Sequence, residues 1–386
     1  MNKKQFVIML SGFVGPLSGN AVLALLPTLS EVFHVSATTI LISIPVFMLP
    51  FAAIQIFSGA LSDINRRGAF FFGFSSYSIG AIICAFSTNF ELFLSGRFVQ
   101  GIGFAFVNPV ITAILGDIVP TKSRGSAMGV LGASTTAGIA LGPLVAGTVA
   151  IIDWRLAFFI FASLGIVVIV LFSISFAGFE FKGSFALKDV GKKLLETAKN
   201  RNVEYLMLCG FITFFSYIGA ISFISAELSS LGFTDASIGV IISSAGIAGI
   251  ISSPIAGRIA DFLGRRAAAV IGYSIVAITL FILSISDRNI FELDIVLFFI
   301  LGIGTAHIWS SLLTLSVEVI PEMRGTSTSL FNSARFFGYA SAPLFLSPIF
   351  EKFGMSTVAL VASLSAIFSG LVVVFLVRES KTEKNK

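Results

Sequence analysis

The stretch Gly138-Ile139-Ala140-Leu141-Gly142-Pro143-Leu144-Val145-Ala146-Gly147 decides the fold. It lies inside an apolar run from about Gly125 to Ala150. Small residues four apart line one helical face, so another backbone can approach closely there. Pro143 removes a backbone donor and crowds the preceding turn, which bends the helix unless neighbours re-satisfy it. Two readings fit the stretch alone: a moving helix in a membrane protein that rocks, or a Gly-rich packing helix in any membrane bundle.

Composition sets the class. Hydrophobic residues make up 56% of the 386 and charged residues 12%, whereas a soluble domain carries about 25% charged residues. Mean hydropathy is +0.98, more apolar surface than a water-soluble fold of this length hides. Cys84 and Cys209 both lie in apolar runs, which indicates neither a disulfide framework nor a metal cluster.

Twelve apolar runs are long enough to span about 30 Å of hydrocarbon. They fall near 6–28, 37–61, 69–87, 91–116, 125–150 and 155–177, then near 203–227, 235–260, 267–285, 291–319, 325–349 and 354–377. Lys3-Lys4 before an apolar run mimics a signal peptide, but that run is too long and eleven more follow it. With the N-terminus cytoplasmic, twenty of the twenty-five Lys and Arg fall in inner segments; Arg155, Arg288 and Lys352 lie outside, and Arg97 and Arg335 lie within spans. This bias places both termini in the cytoplasm. The net charge of +5 then serves topology and contact with anionic lipid, not nucleic acid.

The polar segment from Gly178 to Arg201 divides the chain into bundles over 1–178 and 202–386 with a linker at 179–201. Its Lys and acidic residues at helical spacing read as a solvated helix along the inner surface. The halves repeat. Phe90-Glu91-Leu92 recurs as Phe291-Glu292-Leu293, Gly101-Ile102-Gly103 as Gly302-Ile303-Gly304, and Asp117-Ile118-Val119-Pro120 as Glu318-Val319-Ile320-Pro321. Gly59 to Asp63 is echoed by Gly257 to Asp261, and Gly142-Pro143 by Ala342-Pro343. The expected fold is an all-α membrane protein of twelve transmembrane helices in two six-helix pseudo-repeats, a design that places a transporter's substrate site between its halves.

On these residues the chain resembles a major facilitator superfamily transporter over nearly its whole length. Between spans two and three the family pattern Gly-x-Leu-Ala-Asp-Arg-x-Gly-Arg-Lys is matched by Gly59, Leu61, Asp63 and Arg67, with Ile64, Asn65 and Arg66 departing from it. The second copy keeps Gly257, Asp261, Gly264, Arg265 and Arg266, with Phe262 at the first basic position. Arg97, Gln100, Gly101 and Gly103 resemble the family's span-four pattern, and Asp153-Trp154-Arg155 its entry to span six. Gly138, Gly142, Pro143 and Gly147 resemble the antiporter motif of drug exporters, with Ala146 in place of one glycine. The resemblance implies a monomer, with no obligate protein partner, in the cell membrane.

Physical reasoning assigns roles beside the resemblance. Asp63 and Asp261, at the inner ends of spans two and eight, can bond the N-terminus of a neighbouring helix and latch the inner side when it closes. Gly59 and Gly257 permit the close contact, and Arg67, Gly264 and Arg265 belong to the same loops. Ionisable residues inside spans are expensive and mark candidate sites. Arg97, with Gln100, Phe104 and Asn108 near its face, lies about 9 Å down span four. His307 and Ser311 share a side of span ten, Asn332, Arg335 and Tyr339 one of span eleven, and Asn20 sits in span one near Pro16. These are expected to line a central cavity.

Many drug exporters of the family carry an acid in span one; none occurs from Phe6 to Thr28. His307, Asp117 and Glu227 are the candidate proton carriers, His307 because its ordinary pKa is about 6.5. Two functions follow. One is export of amphipathic small molecules in exchange for protons, by alternating access through a Phe-rich cavity. The other is carriage of an anionic metabolite or lipid headgroup recognised by Arg97, Arg335 and His307. An enzyme is not expected: there is no paired catalytic carboxylate, nucleophile elbow or phosphate-cradling loop, and no cofactor is implied.

Overall fold

A computed structural model of the chain describes residues 2–120, 123–181, 190–286, 290–320 and 323–378, with the side chains at 58–64, 124–125, 190, 193 and 324 excluded. Among the described residues every element is a helix. The first part runs α1 (Lys3–Leu17), α2 (Ala21–Ala24), α3 (Leu26–Phe33), α4 (Ala37–Ile40), α5 (Ser43–Ile64), α6 (Arg66–Ala85), α7 (Phe90–Ile118), α8 (Arg124–Val149) and α9 (Arg155–Ser175). The rest runs α10 (Val190–Ala198), α11 (Arg201–Ser230), α12 (Asp235–Leu263), α13 (Arg265–Ile285), α14 (Phe291–Glu318) and α15 (Arg324–Phe375).

Short polar side chains start these helices by accepting orphan amide hydrogens. Asn2 forms a reciprocal capping box with Gln5, Asn65 accepts from Gly68 N–H, Asn89 from Leu92 N–H, and Thr234 from Ser237 N–H. Many Ser and Thr hydroxyls inside the helices donate to the carbonyl a turn earlier, as Thr135 does to Leu131, so they need no partner from the bilayer.

Ten helices are long and apolar enough to cross a membrane among the described residues. The difference from the expected twelve lies at the two ends of the chain. The first apolar run is interrupted: α1 stops at Leu17, just after Pro16, and Ser18, Gly19 and Asn20 separate it from α2. The last two runs form one continuous stretch, α15, broken in direction at Gly354, where φ is +76°. That left-handed conformation is open to glycine without steric cost. The expected inner-surface helix is present as α10, joined to the rest by Thr197 Oγ1 donating to Met323 Sδ at 3.0 Å; its upstream residues 182–189 lie outside the described residues.

Glycine brings the backbones together. Gly138 and Gly142 on α8 face the carbonyls of Phe13 and Leu17 on α1, where any Cβ would overlap them. Gly338 does the same against Phe211 on α11, Gly101 against Phe47, and Gly302 against Ala245. Within residues 3–175, α7 packs on α5 and α6, and α1 on α7, α8 and α9. Within residues 201–375, α11 packs on α15, and α14 on α12 and α13. The broadest pairings that bridge the sets are α8 with α12 and α5 with α15, and α2, α3 and α4 add smaller contacts with α11 and α12.

Candidate functional site

The break after α1 leaves carbonyls without helical donors, and Arg97 answers it. Arg97 is 0% exposed. Its Nη1 donates to Ser18 O at 3.0 Å and to Gln100 Oε1 at 3.0 Å, and its Nη2 donates to Gly19 O at 3.3 Å. The guanidinium also lies 4.2 Å from the Phe47 ring centre. A cation at the C-terminal end of α1 matches the negative pole of that helix, so Arg97 is held in place on several sides. Gln100 is fully buried as its neighbour.

Across the seam, Tyr339 on α15 donates its hydroxyl to Asn20 Oδ1, and Ser333 Oγ donates to Ala52 O at 3.0 Å. Phe51 stacks on Phe104 at 4.5 Å and meets Phe336 edge-on at 4.4 Å. Arg335 follows on the same helix. It is 8% exposed, and its guanidinium carbon lies 3.9 Å from the Trp309 ring centre, 4.1 Å from Phe336 and 4.6 Å from Phe214. Among the described residues it makes no hydrogen bond or ion pair, and its buried Nε is unpartnered.

The other expected cavity residues divide. Asn20, Tyr339, Phe104 and Arg335 are brought into this central cluster, and Arg97 and Gln100 adjoin it through Phe47, whose ring centre is 5.8 Å from that of Phe104. His307 is buried on α14 with Nδ1 at 2.9 Å from Ile303 O of its own helix. Ser311 is fully buried and the Oδ1 of Asn332 has no partner. Asn108 is partly buried, and its carbonyl accepts from Thr112. An apolar groove of about 420 Å³ between α11 and α15, lined by Phe211, Phe215, Val361 and Phe368, holds none of these residues.

The two ends of the bundle differ. At the end away from the N-terminus, Asp235, the first residue of α12, accepts from Thr28 N–H at 3.3 Å and from the Thr28 hydroxyl. Thr38 donates to Glu351 at 2.9 Å. Gly147 abuts the Asp235 carbonyl, Gly239 the Pro143 carbonyl, and Gly246 the Ala140 side chain. Continued toward the N-terminal end, the same ridges carry Gly132 and Gly129 on α8 and Gly257 on α12. A methyl at Gly132 or Gly129 would meet nothing within 4 Å, and one at Gly257 would meet only Ser310, at 3.9 Å, among the described residues. The α8 and α12 ridges touch at one end and part at the other.

At the open end the basic residues bond locally. Arg66 pairs with Asp117, and Arg265 with Asp261 and, at 3.7 Å, Glu318. Arg67 donates to Phe176 O at 3.5 Å and Arg266 to Val373 O at 3.3 Å. Gly264, with φ +94°, makes the turn before α13. The surroundings of Gly59 and the Asp63 side chain lie outside the described residues. Glu227 lies near the end of α11 that meets the closed side.

Sequence reasoning passed over Thr28 and Asp235, and the rings around Arg335. Asp235 reads in sequence as an ordinary first-turn acid after the Thr234 cap, and 207 positions separate it from Thr28. The signal for the rings was only their helical phase: Trp309 and Phe336 are apolar residues in apolar spans.

The profile of the Major Facilitator Superfamily matches residues 8–193 and 206–386. The chain is 24% identical over 316 residues to the uncharacterised MFS-type transporter YceJ of Bacillus subtilis (strain 168), covering 81% of this chain and 80% of that protein. It is 24% identical over 279 residues to Multidrug resistance protein 2 of the same organism, covering 68% of each. In fold it is similar to a POT family transporter crystallised with 5-aminolevulinic acid, with a TM-score of 0.77, 14% identity, and 96% and 95% of the two chains covered. The apolar helices, the parted ridges and these likenesses agree: the chain belongs to the Major Facilitator Superfamily and is a multi-pass membrane transporter, not an enzyme.

Proposed function

We propose that the chain exports amphipathic small molecules in exchange for protons by alternating access. In this reading it crosses the membrane twelve times, with α1 to α3 together forming one crossing and α15 forming two that meet at Gly354. Residues 1–178 and 202–386 are two repeated bundles joined by 179–201, and both termini are cytoplasmic in the cell membrane. Contacts that recur between the halves support the repeat: Arg66 with Asp117 is echoed by Arg265 with Glu318, and Arg67 with Phe176 by Arg266 with Val373.

The observation that carries the proposal is the wedge. Thr28, Asp235, Gly147 and Gly239 seal the far end, while Gly129, Gly132 and Gly257 stand apart at the basic end. Closing the basic end brings Asp63 and Asp261 to the starts of α8 and α15, whose amides attract a carboxylate, and opens the Asp235 seal. Export is the direction supported by likeness to a multidrug resistance protein. Of the three proton candidates, Asp117 is committed to Arg66 and Glu227 lies toward one end of its helix. His307 is the candidate buried in the middle of its helix, and its imidazole can both take up and release a proton. The protein works as a monomer without a protein partner.

The test uses proteoliposomes loaded with a fluorescent amphipathic dye, with and without an imposed pH gradient. Dye movement that follows the gradient, and is lost in His307→Gln, supports exchange. Movement indifferent to the gradient removes the proton claim, and no movement under any condition removes export.

A further inference from the structure

We infer that Arg335 is the receptor for the carboxylate of an amphipathic organic anion, whose apolar body lies along the Phe51, Phe104 and Phe336 rings. This names the charge class of the substrate and rests on the transport reading above.

A buried guanidinium is costly unless its charge and its N–H groups are answered. Ring faces answer part of the charge, and Trp309, Phe336 and Phe214 all lie within 4.6 Å. A ring face cannot accept the in-plane N–H groups of the fork. The Arg335 Nε is buried without a partner, as is that of Arg97. No hydrogen bond to the Arg335 terminal nitrogens is found among the described residues, whereas those of Arg97 have three. The acids of the surrounding helices lie toward the helix ends: Glu318 is with Arg265 at the open end and Glu351 with Thr38 at the closed end. Glu204 and Glu227 stand near the two ends of α11, and Glu292 and Asp294 in the first turn of α14. At 1.5 Å per residue, Arg335 stands about 16 Å from the start of α15 and about 24 Å from Glu351 along the helix.

Position supplies the second part. Asn332, Arg335 and Tyr339 share one face of α15, and Tyr339 reaches across the seam to Asn20. Arg335 sits one turn, about 6 Å, on the open side of that bond. In the transport reading a ligand entering from the basic end reaches the Arg335 fork before the Tyr339–Asn20 contact. A planar carboxylate satisfies the fork with two parallel bonds. The Asn332 amide, whose Oδ1 is unpartnered, lies one turn nearer the entrance. Arg97 does not compete for the anion, because its terminal nitrogens are occupied by Ser18, Gly19 and Gln100.

The test measures the unfolding midpoint of detergent-purified full-length protein with 1-naphthoate, with neutral 1-naphthamide, and with cationic 1-naphthylmethylammonium. Phosphatidylglycerol in mixed micelles forms a fourth arm. Naphthoate at about 100 times its Kd is expected to raise the midpoint by several degrees, with the amide and the ammonium ineffective. Arg335→Gln is expected to weaken naphthoate about 10- to 100-fold, and Arg335→Lys to restore part of the binding. An equal shift in wild type and Arg335→Gln, or a shift only with the ammonium, overturns the inference. An Arg335-dependent shift with phosphatidylglycerol alone also overturns it, in favour of a lipid headgroup. Efflux of naphthoate and of the cationic dye ethidium from proteoliposomes separates the two levels. If wild type moves ethidium but neither moves nor binds naphthoate, the anion site fails and the transporter stands. If it moves neither, the transport reading fails as well.

Discussion

Arg97 and Arg335 are both buried arginines inside apolar helices, and they are built in opposite ways. Arg97 is surrounded by acceptors: two carbonyls freed by the break after α1 and the Gln100 amide oxygen. Arg335 is surrounded by rings and has no acceptor among the described residues. The first arginine completes the fold, since without it Ser18 and Gly19 would present bare carbonyls to a dry interior. The second is a charge the fold leaves unanswered. A buried ionisable group is thus a functional sign in a membrane protein only after its partners have been counted.

The sharpest way to break this contrast is Arg97→Ala. Removing the guanidinium strips the donor from two buried carbonyls and Gln100 at once, and a loss of about 3–5 kcal/mol is expected, as for other broken buried charge networks. Chemical unfolding of the purified protein measures it. Arg97→Lys should recover only part, because an ammonium cannot hold the planar fork geometry. A loss below about 1 kcal/mol for the alanine variant would show that water can replace the tie.

Much of this architecture was legible in the sequence. The apolar runs placed nearly every helix, because a bilayer demands both length and apolarity of each. Pro16 beside Gly19 marks a break, but the sequence could not show that Arg97, 79 positions from Ser18, would fill it. Asn20, Arg97, Arg335 and Tyr339 stood out as polar residues in apolar surroundings. Which of them was satisfied by another was invisible, since hydrogen bonds between helices depend on rotation and depth that a hydropathy pattern does not fix. Phe214, Trp309 and Phe336 were hidden for a simpler reason: among 42 phenylalanines, a ring that cages a cation looks like one that faces lipid.

Two predictions of intermediate size test the packing, one within the first bundle and one across the seam between the bundles. Gly142→Val places a branched side chain against the Leu17 carbonyl, and a cost of about 1–3 kcal/mol is expected from overpacking α8 on α1. Insertion followed by thermal unfolding would show it, and an unchanged midpoint would mean that the helices slide apart freely. Asp235→Ala removes both acceptors of Thr28, with an expected loss of about 1–3 kcal/mol from the sealed state alone. The readout is thiol labelling of a cysteine placed at position 38, which should speed up in Asp235→Ala and far less in Asp235→Asn. Labelling unchanged in both variants would relieve this pair of any sealing role.

The smallest effect on stability is expected where the charge is least supported. Arg335→Gln removes a desolvated cation and with it the attraction of three rings, each worth up to about 2 kcal/mol in a dry site. It also removes the desolvation penalty of an unpaired ion, several kcal/mol after relaxation. The two nearly cancel, so the unfolding free energy should change by less than about 1 kcal/mol in either direction. The expected cost is therefore several-fold larger for Arg97→Ala than for Arg335→Gln, although the two residues are the same and nearly equally buried. If Arg335→Gln costs as much as Arg97→Ala, Arg335 is a structural tie as well and the asymmetry between the two arginines disappears. If it is nearly neutral, the position is free of any demand from folding, and the cation stands there to meet something other than the protein.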